Sequence, residues 1–140
     1  MFHLTTLFVA ALTFVSCGVR AQTSTTLSYD TTYDNGNLSL NDVTCSNGPN
    51  GLETKYPNDT TLSQLPGYPN VGGVETVTGW NSPNCGACYA VTYGSNTVKI
   101  MAVDKSTTGF TVSEAAMNTL TGGQAVAFGR VDVTYVPVSC

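Results

Sequence analysis

The chain has 140 residues, of which 10% are charged, and five basic against nine acidic residues give it a formal net charge of −4. So few basic side chains argue against binding to nucleic acid or to an anionic membrane surface, since both need clustered lysine or arginine. The only histidine is His3, which lies in the signal segment described next. The rest of the chain lacks the residue that catalytic triads, Cys-His pairs and histidine-bound metals require, and we expect no metal and no cofactor.

The N-terminal segment predicts a secretion signal over residues 1–21. Residues 7–15 (LFVAALTFV) form an apolar run of signal length, which is shorter than the roughly 20 residues that cross a bilayer. Small residues near the end of the segment predict cleavage before Gln22, which leaves one domain over residues 22–140 with no membrane span. The alternative is a lipoprotein box that ends at Cys17 and would tether the chain.

The first half of the domain predicts short strands separated by turns and loops. Residues 22–26 are polar and predict a frayed end, and residues 34–37 (DNGN) carry a strong turn signal. Residues 56–73 contain Pro57, Pro66 and Pro69 and predict a loop, with one turn of helix over residues 62–65. The predicted strands in this half cover residues 27–33, 42–45 and 73–80.

The second half begins with a predicted β-hairpin. Residues 89–93 and 97–104 form its arms, and Gly94-Ser95-Asn96 forms its loop. The second arm is apolar on both faces, which is typical of a strand in the middle of a sheet or inside a barrel.

One helix and one strand are predicted after the hairpin. Residues 113–120 form the helix, with Ser113 as its N-cap and Gly122 just beyond its end. Residues 130–138 alternate between apolar and polar side chains, which is the pattern of a half-buried strand. Short strands, one helix and glycine-rich turns together predict a mostly β domain in the form of a small closed barrel.

Four cysteines, Cys45, Cys85, Cys88 and Cys140, remain after the signal, and an even number in an exported domain indicates two disulfides. Loop-closure entropy favours two long loops, at roughly 4 kcal/mol each, over a bridge within Cys85–Cys88 at about 2 kcal/mol. It does not separate Cys45–Cys85 with Cys88–Cys140 from the crossed pairing Cys45–Cys88 with Cys85–Cys140. A redox Cys-x-x-Cys would need a βαβ unit that is not visible, and an oxidising location disfavours zinc.

Six motifs follow one another along the domain. They are LSYD at 27–30, CSNG at 45–48, PGYPNVGG at 66–73, GWNSPNCGAC at 79–88, AVD at 102–104 and GRV at 129–131, followed by a terminal Cys140. Taken together, they resemble the cerato-platanin family. The resemblance implies a six-stranded double-ψ β-barrel with one or two short helices, similar to the first domain of expansins and to one family of endoglucanases. It also implies the disulfides Cys45–Cys85 and Cys88–Cys140.

The same resemblance implies a small secreted fungal protein, extracellular and associated with cell walls. Such proteins bind chitin or N-acetylglucosamine oligomers, loosen cell-wall polysaccharide without hydrolysis, are perceived by plants as elicitors, and self-associate. A plant receptor is thus an implied partner beside the glycan. The alternatives are a surface-active, self-assembling structural protein of the fungal wall and a weak carboxylate glycoside hydrolase.

Asp104 is the main candidate for a functional residue, because it follows an apolar strand and because the resemblance aligns it with an acidic residue of expansins and endoglucanases. The alternative is a turn carboxylate that caps the amides of Ser106 or Thr107. A glycosidase needs a second carboxylate, about 5–5.5 Å away for retention or about 6.5–9.5 Å for inversion. Asp30 is the only obvious partner, but the resemblance implies no full catalytic pair, so we expect Asp30 to bind sugar hydroxyls or backbone.

Weaker candidates for a polar groove offer amide, carboxylate or hydroxyl groups that match sugar hydroxyls. They are Tyr29, Asn47, Asn84 and Asp132. Trp80 lies near Cys85 in sequence, and we expect it to pack against the disulfide; the alternative is that it stacks on a pyranose ring. A flat row of exposed aromatic residues is not evident, which favours weak recognition of short oligomers.

Two sequons predict N-glycosylation sites at Asn37 and Asn58. The second lies in residues 56–65, a segment longer than the usual form of the family. This difference would alter one rim of the binding face and leave the barrel unchanged.

Overall fold

The computed structural model describes residues 20–140. Most of the predicted signal, together with the alternative lipid site at Cys17, lies outside the described residues. The six strands are β1 (Thr23–Tyr29), β2 (Val71–Val74), β3 (Cys88–Tyr93), β4 (Asn96–Lys105), β5 (Phe110–Val112) and β6 (Arg130–Val138). The helices are α1 (Leu52–Lys55), α2 (Glu114–Thr121) and α3 (Ala125–Phe128), with 3₁₀ turns at Thr31–Asp34, Leu40–Asp42 and Leu62–Gln64. Among these helices, none has the length and apolar character that crossing a bilayer demands.

The strands close into one barrel in the order β1-β5-β2-β4-β3-β6. The β1–β5 and β2–β4 pairs are parallel, and the other four pairs are antiparallel. The closed six-stranded barrel that the resemblance implies is therefore confirmed. Closure leaves no open sheet edge, which a small exported domain would otherwise have to protect against aggregation.

An aromatic cluster fills the barrel. The rings of Tyr89, Phe110 and Tyr135 meet edge to face, with centroid distances between 4.9 and 5.8 Å. In this geometry the positive edge of one ring contacts the negative face of the next. Strand β4 is apolar on both faces because each is covered: Ile100 and Met101 are both 1% exposed, and Gly67 of the long loop lies directly against Met101.

Several elements of the second half agree with the sequence pattern. The hairpin forms from β3 and β4 as predicted, but the three-residue loop is wrong: Asn96 already pairs with Tyr93, which leaves a two-residue turn. Strand β6 covers the predicted strand. The predicted helix is α2: the Ser113 hydroxyl accepts from the Ala116 amide at 3.0 Å, and Gly122 ends the helix in the left-handed region with φ 68°.

The elements in the first half of the domain differ more from those that the sequence predicts. The predicted frayed end at residues 22–26 is wrong, because β1 begins at Thr23 and pairs with β6. The predicted strand over residues 27–33 ends at Tyr29, where Asp30 caps a 3₁₀ turn by accepting from the Thr32 amide at 2.8 Å. These polar residues form a strand or a turn according to their barrel neighbours, which local composition does not encode.

Two further strand predictions fail. Residues 42–45 are not a strand; a 3₁₀ turn capped by Ser39 leads into a loop. The strand predicted over residues 73–80 is β2, which begins at Val71 and ends at Val74. The short elements β5, α1 and α3 have no sequence signal of their own, since three or four residues carry too little periodicity.

One disulfide joins two loops, and the other joins the C-terminal segment to the barrel. The structure joins Cys45 to Cys85 with the Cα atoms 5.3 Å apart and Cys88 to Cys140 at 5.2 Å, which are the pairs that the resemblance implies. Cys88 begins β3 opposite Val138, so the second disulfide extends the β3–β6 pairing. The first disulfide holds the loops around Asn47 and Trp80 together.

Candidate functional site

Asp104 lies near the end of β4 with both carboxylate oxygens in use. Its Oδ1 accepts from the backbone amides of Thr44 at 3.0 Å and Lys105 at 2.8 Å, and its Oδ2 accepts from the Tyr33 hydroxyl at 3.0 Å. The alternative role as a cap for Ser106 or Thr107 is wrong, since the Ser106 amide donates to the carbonyl of Val74. The carboxylate instead joins three separate segments of the chain.

Tyr33 is the part of this site that the sequence did not indicate. It is 8% exposed, and burial, followed by the charge and the hydrogen bond of Asp104 and the charge of Asp30, raises the pKa of its phenol well above the ordinary value. Asp30 as an N-cap, with Tyr33 three residues later, is a signal that could have indicated a helical turn here.

Asp30 is exposed at the end of β1, and its charge reaches the Tyr33 phenol. The structure thus brings Asp30 and Asp104 around one buried tyrosine, although they are distant in sequence. Tyr29 precedes Asp30 and packs, half-buried, against the core. Asp30 and Asp104 thus provide carboxylate acceptors around a tyrosine whose phenol is buried.

Trp80 is 61% exposed, so the expectation that it packs against the disulfide is wrong. Its indole N–H donates to the side-chain oxygen of Asn47 at 2.7 Å. The disulfide is buried without the help of Trp80, since Cys45 and Cys85 are both 0% exposed. Asn47 therefore lies at the surface as a partner of Trp80.

The last two candidates have other surroundings. The Asn84 side-chain amide donates to the carbonyl of Thr76 at 2.8 Å, which holds the loop that follows β2. Asp132 is exposed on β6, which is not a neighbour of β4 in the barrel. It lines a separate surface depression of about 680 Å³ with the hydroxyls of Thr26 and Thr134.

The two predicted glycosylation residues, Asn37 and Asn58, are both exposed. Each lies in a connection outside the strands. The surface therefore leaves room for a glycan at either asparagine.

A more distant likeness concerns the fold alone. An expansin from Clavibacter michiganensis is 19% identical, with a TM-score of 0.60 over 85% of this chain and 51% of that chain. The barrel is therefore expansin-like in its architecture.

Nearer relatives share sequence as well as fold. The allergen Asp f 15 of Aspergillus fumigatus is 50% identical over 109 residues, which cover 78% of this chain and 70% of the relative. The crystal structure of cerato-platanin 1 from M. perniciosa is 45% identical, with a TM-score of 0.78 over 82% of this chain and 95% of that one. The solution structure of the fungal elicitor cerato-platanin is 45% identical, with a TM-score of 0.72 over 81% and 92% of the two chains. The family model described as cerato-platanin matches residues 25–140, and the chain belongs to the cerato-platanin family.

Proposed function

We propose that this chain is a secreted, non-catalytic carbohydrate-binding protein that takes chitin or N-acetylglucosamine oligomers, loosens cell-wall polysaccharide and acts as an elicitor in plants. Family membership and the expansin-like fold support a non-catalytic, cell-wall-related protein. Two disulfides fit an extracellular location. The similarity to the fungal elicitor cerato-platanin supports the role in a plant host.

The observation that carries the proposal is the use of Asp104. Its carboxylate has about four acceptor positions, and three protein donors occupy three of them. One position on Oδ2 stays available to a sugar hydroxyl. A general acid would have to carry its proton at this same position and deliver it to the glycosidic oxygen. Hydrolysis also needs a second carboxylate free to act on the sugar or on water, whereas the carboxylate of Asp30 caps a turn by accepting from the Thr32 amide. These contacts favour binding over hydrolysis.

Loosening would follow from competition for hydrogen bonds between glycan chains. Asp30 is exposed and Asp104 is half-buried, so carboxylate acceptors are offered to an approaching chain, while the buried Tyr33 holds Asp104 through its hydroxyl. Such groups replace the hydrogen bonds that one glycan chain makes to another, and no covalent bond needs to break.

The test is an NMR titration of the oxidised domain, residues 22–140, with N-acetylglucosamine and glucose oligomers. We expect saturable shifts around Asp104 and Asp30 with the N-acetylglucosamine oligomers, weakened in Asp104→Asn. Asp132→Asn is the matched control, because it removes an exposed acid on β6, a strand that is not a neighbour of β4. The absence of shifts with either glycan would contradict the proposal, and release of reducing sugar that Asp104→Asn abolishes would establish the glycosidase alternative.

Export of the chain is part of the proposal. Cleavage before Gln22 would remove Arg20, whose guanidinium donates to the carbonyl of Pro137 at 2.9 Å, and would leave β1 complete from Thr23. Intact mass of the protein secreted by a fungal host checks the new N-terminus and shows whether Asn37 and Asn58 carry glycans. A mature chain that retains residues before Gln22 would contradict the predicted cleavage.

A surface-active role is the second candidate, because α3 presents apolar side chains to solvent. Val126 is 69% exposed and Phe128 is 48% exposed, and the Phe128 ring lies 6.4 Å from that of Tyr93 between centroids. Replacement of both exposed residues by serine should reduce adsorption at an air–water interface. Adsorption equal to that of the native protein would remove the support that α3 gives to this role.

A further inference from the structure

Trp80 is the single tryptophan of the chain, and more than half of its surface, 61%, is open to solvent. One exposed aromatic residue is ordinary on a protein surface. The unusual feature here is that the exposed ring is held in place by several independent contacts. A rigid exposed aromatic ring is suited to binding, because the entropic cost of ordering it is met before a ligand arrives.

The indole is fixed along one side. Its Nε1 donates to Asn47 Oδ1 at 2.7 Å, and Cζ2 would lie 2.9 Å from a Cβ added at Gly48. Gly48 also has φ +85°, so a side chain at this position would be strained as well as crowded. The indole can therefore lie this close to the backbone only because residue 48 is a glycine.

The turn that carries Trp80 is also braced. Asn81 has φ 60°, the one non-glycine residue with positive φ in the described part of the chain. Its Oδ1 accepts from the Asn50 amide at 2.9 Å, and its carbonyl accepts from Asn50 Nδ2 at 3.0 Å. Backbone held in this region costs on the order of 1–3 kcal/mol and is concentrated at functional sites. The Cys45–Cys85 disulfide joins the same two loops.

This platform and the Asp104 site share one short stretch of chain. Thr44 donates its amide to Asp104, and three residues later Asn47 accepts from Trp80. Three residues span at most about 11 Å of extended chain. Thr44 and Asn47 are therefore close enough for one short oligosaccharide to reach the neighbourhoods of both.

We propose that Trp80 is a second sugar subsite, a stacking platform for the flat face of a β-1,4-linked pyranose in an oligomer of N-acetylglucosamine or glucose. The face of the indole carries partial negative charge, which attracts the C–H groups on the face of such a sugar. Its N–H is already bonded to Asn47, so the ring offers a surface and no unsatisfied donor. The inference rests on the proposed function, because it extends the same glycan-binding face.

The fluorescence of Trp80 reports on this site alone, because the chain contains one tryptophan. The oxidised domain is titrated with N-acetylglucosamine hexamer, with the dimer, and with an α-linked mannose hexamer. We expect the first hexamer to shift the emission to the blue and to protect Trp80 from acrylamide quenching. The dimer and the mannose hexamer should have little effect; equal protection by the mannose hexamer would overturn the stereochemical assignment.

Calorimetric titration of variants separates this inference from the proposed function. Trp80→Ala should weaken binding of the N-acetylglucosamine hexamer by about three- to tenfold, the range of one aromatic contact, and Trp80→Phe should retain most of the affinity. Phe128→Ala is the matched control, since it removes the other exposed aromatic ring within residues 20–140. Native affinity in Trp80→Ala would overturn the platform alone. Failure of the native protein to bind either β-1,4-linked oligomer would overturn the platform and the proposed function together.

Discussion

The residues of the candidate site differ in how far the sequence reveals them. Asp104 follows a strongly apolar strand, and such a position is visible without a structure. The role of Tyr33 cannot be predicted from the sequence, because its partner Asp104 is 71 positions away and the residues around Tyr33 have the composition of a strand. The sequence does not show the exposure of Trp80 either, since nearness to Cys85 in sequence does not reveal that the disulfide is buried without the indole.

Tyr33 should make the stability of the protein depend on alkaline pH. Its folded pKa lies above the unfolded value of about 10, so the folded state keeps a proton that the unfolded state loses. This contribution is complete below about pH 10 and falls as the pH rises further. We expect Tyr33→Phe to flatten the decline in unfolding free energy between about pH 9 and 11.5, measured by guanidinium unfolding.

Two comparisons sharpen this measurement. Burial and Glu75 raise the pKa of Tyr135 as well, so Tyr33→Phe should leave part of the alkaline decline in place. Tyr93→Phe removes a phenol that has no side-chain hydrogen bond within residues 20–140 and is the control. A decline in Tyr33→Phe as steep as in the native protein would contradict the assignment.

Among the elements, α2 shows what local signals can and cannot provide. Ser113, Glu114 and Gly122 predict its two ends, and both ends are observed. The sequence does not reveal that Asp34 supplies a second cap from a distant turn: its carboxylate accepts from the amides of Glu114 at 2.7 Å and Ala115 at 3.0 Å. The 3₁₀ turn that carries Tyr33 is thereby attached to the start of α2.

Removal of this distant cap should destabilise the protein. We expect Asp34→Ala to lower the unfolding free energy by about 1–2 kcal/mol, because two helix amides lose their acceptor and the negative charge leaves the helix N-terminus. Urea unfolding of the oxidised domain measures the change. Asp132→Ala, an exposed acid on β6, should change stability by less than about 0.5 kcal/mol; equal effects of the two variants would argue against the capping role.

For the whole molecule, the pattern of short strands predicted a barrel, and the resemblance supplied the number of strands. The order of the strands has no local signal. Strand β5 has three residues, yet it pairs with both β1 and β2, and these contacts exist only once the barrel closes. Packing between distant segments therefore determines the strand order, which local strand propensity does not specify.

The two disulfides should contribute similar stability and different local order. Their sequence separations are 40 and 52 residues, so loss of either should cost about 4 kcal/mol in the chain-entropy account. Replacement of Cys45 and Cys85 by alanine should also release the loops that hold Trp80. The indole should then become more mobile, which would lower its fluorescence anisotropy. Replacement of Cys88 and Cys140 should leave the anisotropy near the native value, and the reverse result would contradict the bracing of Trp80.

The pairing of β1 has a consequence for biosynthesis. Its two partners are β5 and β6, which begin at Phe110 and Arg130, so the first strand to be synthesised waits for the last two. Contacts between residues so far apart in sequence form slowly, because the entropy of loop closure is lost before strand pairing stabilises the chain. A nascent chain without these C-terminal strands therefore cannot close the barrel, and β1 lacks the neighbours on both of its sides until β6 has been synthesised.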